Sequence, residues 1–111
     1  MMIAWDQVEE LREAVGAEEF GELVDVFLEE VEGALAMLSP TADATTLEAQ
    51  LHFLKGSALN LGFAEFSALC QAGESAARAG NTAAIDLTEI ARSYHATKAF
   101  FLSEIATRYA A

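Results

Sequence analysis

Apolar residues along the chain recur at intervals of three and four, and no stretch alternates in the period of two that a half-buried strand needs, so the pattern predicts helices throughout. A short first helix carries Val8, Leu11 and Val15 on one side, begins at a capping pair of Asp6 and Glu9, and ends at Gly16. A second runs from about Ala17 to Leu38 with the stripe Phe20, Val24, Phe27, Val31, Leu35 and Leu38, and Ser39-Pro40 stops it. The third starts at Asp43 or Thr45, carries the seam Leu47, Leu51, Leu54, Ala58 and Leu61, and stops at Gly62. The fourth, about Ala64 to Ala79, buries Phe66, Leu69, Cys70, Gly73 and Ala77 before Gly80-Asn81 turns the chain. The last, about Thr82 to Tyr109, carries Leu87, Ile90, Tyr94, Phe101, Leu102 and Ile105. Helices with one apolar stripe each and short connections are best satisfied by an all-α fold, an antiparallel up-down four-helix bundle with the short additional N-terminal helix over one end.

Composition narrows what such a bundle can do. A chain of 111 residues makes one domain, read here as 1–111, with too little core for two lobes around an active site. Eighteen acidic against six basic residues give a net charge of -12, which disfavours nucleic acid and anionic membrane as partners. The excess is local: thirteen acids and one base, Arg12, lie up to Glu48, whereas five of each follow. One cysteine forms no internal disulfide, the N-terminus lacks a leader pattern, and no apolar run reaches a membrane span; these features suggest a cytoplasmic protein.

Two histidines are the candidates for chemistry. On the third helix His52 falls about 140° from the seam, so it should face solvent with Glu48, Ala49, Lys55, Gly56 and Leu59 around it. A glycine inside a helix costs about 1 kcal/mol relative to alanine, so Gly56 calls for a reason such as close approach by another molecule. An exposed imidazole with an ammonium one turn away suits a transferable phosphoryl group: the ring is the nucleophile and Lys55 offsets charge on the phosphoryl oxygens. Ser57 lies on the other side of the seam and reads as a packing residue.

The segment from His52 to Phe63, HFLKGSALNLGF, resembles the signature of histidine phosphotransfer domains, phosphocarriers of multistep two-component relays. Leu69-Cys70, Glu74 and the stretch Ala76 to Asn81 are similar to that family's next helix and turn. The resemblance implies that His52 accepts a phosphoryl group from a receiver-domain aspartate and returns it to another. By the same carry-over Lys55 contacts the phosphoryl oxygens, Gly56 clears space beside the imidazole, and Gly62 forms the helix-ending turn. Glu74 matches a polar residue near the histidine and could orient the imidazole or pair with Lys55. Ala49 and Leu59 would help dock a partner. The chain would hold no cofactor or metal, Mg²⁺ belonging to the receiver. Its partners would be response-regulator receivers and a hybrid sensor histidine kinase, and it would act as a free-standing monomeric carrier consumed and regenerated stoichiometrically, not as an enzyme.

Three other readings compete. His95-Ala96-Thr97-Lys98 repeats the His-to-Lys spacing, but Ala99 and Phe100-Phe101 replace the glycine and small residue, so His95 reads as structural and partly exposed. A di-iron bundle needs Glu-x-x-His pairs, which are absent, and a zinc site built on Glu48 and His52 would sit beside a lysine. A degenerate module that binds receivers without carrying phosphate is the remaining alternative.

Overall fold

The computed structural model describes residues 1–109; Ala110 and Ala111, the last two positions of the domain read as 1–111, lie outside the described residues. It contains α1 (Trp5–Val15), α2 (Ala17–Ala36), α3 (Ala44–Leu61), α4 (Ala64–Arg78) and α5 (Leu87–Arg108), with a 3-10 turn at Thr82–Ala84 before α5 and no strand among the described residues. The molecule measures 48 × 21 × 20 Å. Helices of 18 to 22 residues, such as α3 and α5, are about 27–33 Å long and fit only along the long axis, which makes the fold a helical bundle. No described helix is long and apolar enough to cross a membrane.

α3 is the central element, packing most closely on α4 and also against α2 and α1. All five residues of its expected seam are buried. Asp43 caps it, its carboxylate accepting a hydrogen bond from the Thr46 amide at 2.8 Å, so the alternative cap at Thr45 is not used. At the other end Gly62 has φ +82°, a left-handed conformation that closes the helix, and its amide bonds the Leu59 carbonyl. A Cβ there would lie 2.9 Å from the Ala4 carbonyl oxygen and 2.9 Å from Val8 Cγ2. Gly62 therefore also lets the start of α1 dock on the end of α3, where Ala4 N–H donates to the Gly62 carbonyl at 2.7 Å.

That docking explains the first departure from the sequence reading. α1 starts one residue before Asp6 and its N-cap is Ala4, with no side-chain cap, because the Ala4 amide is already held by α3. α2 ends at Ala36, short of Leu38, and buries Leu28 in addition to Phe20, Val24 and Val31, while Phe27, Leu35 and Leu38 pack on the margin of the core. α5 begins at Leu87 instead of Thr82, since Asp86 caps it by accepting from the Glu89 amide at 3.0 Å. Its buried face is Ile90, Ser93, Tyr94, Thr97 and Phe101; Leu102, one residue off that stripe, is exposed. Tyr94 and Phe101 meet Phe63 and Phe66 in a ring cluster that joins α5 to the α3–α4 turn.

Candidate functional site

The site lies where α4 crosses the solvent face of α3. The buried positions of α4 are Phe66, Ser67, Cys70, Gly73, Glu74 and Ala77, one face of a helix with a carboxylate in it. Gly73 permits the approach, for a Cβ at that position would stand 2.8 Å from Leu51 Cδ1 of α3. With the helices this close, Glu74 reaches the residues of α3 that point away from the seam.

Its carboxylate, only 2% exposed, is the hub of the cluster. Oε2 lies 2.9 Å from His52 Nδ1 and accepts a hydrogen bond from Arg78 Nη2 at 3.1 Å. Oε1 takes no aligned hydrogen bond but sits 2.7 Å from Lys55 Nζ, a close ion pair; Nζ also donates to Gln71 Oε1 at 2.9 Å. Arg78 Nε in turn donates to Glu48 Oε2 at 2.7 Å, so one guanidinium spans two carboxylates. The imidazole is 68% exposed, the lysine stem mostly covered.

Lys55, acting against the cost of burial and with help from His52, holds the Glu74 carboxyl below the usual carboxylate range. An ionised carboxylate only accepts hydrogen bonds, so the contact with His52 requires a proton on Nδ1. In the neutral ring that tautomer leaves the lone pair on Nε2, at the edge of the imidazole away from Glu74. The arrangement thus offers a nucleophilic nitrogen to solvent while its other nitrogen is fixed by a buried anion.

Gly56 is exposed, and a Cβ built there meets nothing within 4 Å, so no neighbour in the chain accounts for the missing side chain. Ala49 and Leu59 are exposed on the same helix, Leu59 at 53%, as is Phe53 at 48%. Phe53 and Ala49 border a shallow apolar hollow of about 280 Å³ with Ala34, Met37 and Gln50. Gly62 stands apart from the other residues assigned from sequence: its neighbours are Ala4 and Val8, and it shapes the end of α3.

Arg78, Gln71 and Phe53 were not singled out from sequence. Arg78 lies four residues after Glu74, a spacing that pairs side chains on one helix face, and that signal was available. No sequence signal marked Gln71 or Phe53. Glu48, placed beside His52 from sequence, is engaged by Arg78. His95 is exposed with its ring edge-on to Tyr94 at 5.3 Å, and Lys98, its would-be partner, is committed to Glu32 at 2.6 Å. Burial, with the Glu74 charge adding to it, pushes the Cys70 thiol up to about 12, which leaves it a core residue and a poor nucleophile. Among the described residues no three His, Cys, Asp or Glu side chains converge as a metal site.

Comparison with protein families matches residues 4–100 to the Hpt domain. No curated protein and no solved structure matches the chain.

Proposed function

The chain belongs to the Hpt domain family, whose members take part in histidine phosphotransfer within phosphorelays, and on that premise we propose that His52 is its phosphoryl acceptor and donor. The observation that carries this reading is the His52–Glu74 contact, which engages Nδ1 and so, in the neutral ring, puts the lone pair on Nε2 of a largely exposed side chain.

In the proposed step Nε2 of His52 attacks the phosphorus of an aspartyl phosphate on a docked receiver domain. The P–N bond forms as the bond from phosphorus to the acyl oxygen breaks, and the receiver carboxylate leaves with the electron pair. No proton needs to move: Nδ1 keeps its hydrogen, the phosphorylated ring is cationic, and the Glu74 carboxylate stabilises that cation. In the reverse step the carboxylate of a second receiver attacks phosphorus and the pair returns to Nε2. Glu74 does not repel the phosphoryl group, because it is buried on the opposite edge of the ring and matched by Lys55 and Arg78. Lys55 supplies an ammonium for the phosphoryl oxygens and Gly56 the space for them. Ala49, Phe53 and Leu59 form the apolar surface against which the receiver packs.

Hpt domains are phosphocarriers rather than enzymes. This chain is read as a stoichiometric carrier with neither a kinase centre nor a metal of its own, Mg²⁺ being held by the receiver. Short connections between consecutive helices support an antiparallel up-down order of α2 to α5. The proposed setting is cytoplasmic and monomeric, between a hybrid sensor kinase and a response regulator.

The test is phosphate transfer from a phosphorylated receiver to the wild-type chain, His52→Gln and His95→Gln. Labelling is expected to vanish only in His52→Gln, and label that survives there contradicts the proposal. A chain that binds receivers but takes no label from a panel of them would be the binding-only module instead.

A further inference from the structure

A cleft of about 340 Å³ runs between α2 and α5, lined by Asp25, Leu28, Glu29 and Glu32 of the first and by Lys98 and Leu102 of the second. It lies on the other side of α2 from the hollow beside Phe53. Glu32 and Ala34 are two residues apart and so point about 160° apart around the helix; Glu32 lines the cleft and Ala34 the hollow. The charge of Glu32 is already matched, since its Oε2 accepts from the buried Tyr94 hydroxyl at 2.7 Å and from Lys98 Nζ at 2.6 Å. Asp25 and Glu29 are not matched. They are exposed, one turn apart on α2, and enter no ion pair among the described residues. Beside them Leu28 is buried, and Leu102 stands 38% exposed on α5.

The chemistry of these walls selects an occupant. Two unmatched carboxylates repel nucleic acid and anionic lipid, and they repel a second copy of a chain whose net charge is -12. They suit a cationic partner, and the leucines beside them favour one that also brings apolar side chains. From Asp25 to Glu32 is about 10 Å along α2, the distance from i to i+7 on an incoming helix. A trough between two helices takes a third by packing ridges into its grooves. We propose that the α2–α5 cleft docks a cationic amphipathic helix of a partner protein. Its apolar stripe lies on Leu28 and Leu102, and its flanking Lys or Arg side chains pair with Asp25 and Glu29. Such a partner holds the chain from behind while His52 stays accessible, and nothing in this docking depends on the role of His52.

The probe is a synthetic helical peptide with leucines at i, i+3, i+4 and i+7 and lysines on both flanks of that stripe, titrated into the ¹⁵N-labelled whole chain. A peptide of the same composition with the stripe scrambled is the control. Amide shifts are expected to centre on Asp25, Leu28, Glu29, Glu32, Lys98 and Leu102. The double variant Asp25→Lys, Glu29→Lys should bind the striped peptide about tenfold more weakly, the value expected of two exposed charge contacts. Leu102→Ser should weaken it about threefold through lost apolar contact, and the scrambled peptide should bind the wild type about tenfold more weakly than the striped one. Each variant is checked for its helical melt. Shifts centred on the hollow at Phe53, equal affinity for the scrambled peptide, indifference to the charge reversal, or no binding at all would each overturn the proposal. So would a dimer in sedimentation that Leu102→Ser dissolves, or flotation of the chain with phosphatidylserine vesicles, because the cleft then has another occupant. Should the charge-reversed chain fail to fold, Leu102→Ser decides: it must weaken the striped peptide, and an unchanged affinity counts against the docking.

Discussion

Gly56 sits in mid-helix with open space where its side chain would be. In a helix alanine is favoured over glycine by roughly 0.5–1 kcal/mol, and nothing within 4 Å opposes the added methyl. Gly56→Ala should therefore stabilise the isolated chain by about that amount in chemical denaturation. The same variant should accept phosphoryl more slowly, because the methyl would stand beside His52 where, under the proposed function, a receiver would bring its phosphorus. A gain in stability with undiminished transfer would remove the reason given for this glycine. Glu74 makes a different kind of prediction. Its carboxyl is depressed in the folded chain, chiefly by Lys55, so its ionised form contributes stability above the unfolded carboxyl value of about 4.3 and loses it as pH falls through the lower folded value. Glu74→Gln should cost about 1–3 kcal/mol at neutral pH, where it takes the carboxylate from Lys55 and leaves Arg78 paired with Glu48 alone. The two unfolding curves should converge as acid protonates the carboxyl in both states, and a difference that never narrows as pH falls would speak against the ionised carboxylate.

Among the elements, α3 was the most legible from sequence. Leu47, Leu51, Leu54, Ala58 and Leu61 alternate at four and three and are all buried, because a seam facing three other helices leaves little freedom in which residues turn inward. The solvent-facing placement of His52 followed from the same periodicity. What sequence left hidden depends on contacts between helices. Asp6 looks like a cap, yet the Ala4 amide is held by the Gly62 carbonyl and the helix begins a residue earlier. Leu102 looks like core, but Thr97 and Ser93 take buried positions on α5 that polarity alone argues against. The Glu74 hub needed the close α3–α4 approach at Gly73, which no single helix reveals. At the α3 terminus Gly62 both closes the helix and receives α1, so Gly62→Ala meets a positive φ and a carbonyl oxygen 2.9 Å from its new methyl. It should destabilise the chain by about 1–3 kcal/mol in denaturation. A neutral effect would mean that α1 does not dock there.

Over the whole molecule the charge of -12 is not offset by its bases, each of which has a partner. Arg12 lies over the Tyr109 ring and Arg108 over Trp5, two cation–π contacts that tie α1 to the end of α5. Arg92 and Lys98 pair with Glu89 and Glu32, and Lys55 and Arg78 serve the site. The acids of α1 and α2 thus face solvent with little compensation, and self-repulsion should weaken the fold at low ionic strength. Raising salt from low to physiological levels should raise Tm, the opposite of what a fold held by surface ion pairs would show. The same field should slow the approach of acidic receivers and favour those with a basic docking face, an effect that salt reduces.

All three scales meet in the claim that Glu74 keeps the proton on Nδ1 so that Nε2 of His52 carries the phosphoryl group. Heteronuclear NMR of the ¹⁵N-labelled, phosphorylated chain observes this directly, because coupling to phosphorus identifies the bonded ring nitrogen. One phosphorylated imidazole is expected, that of His52, with phosphorus on Nε2, hydrogen retained on Nδ1, and His95 unmodified. Phosphorus on Nδ1 of His52, or on His95, would contradict it.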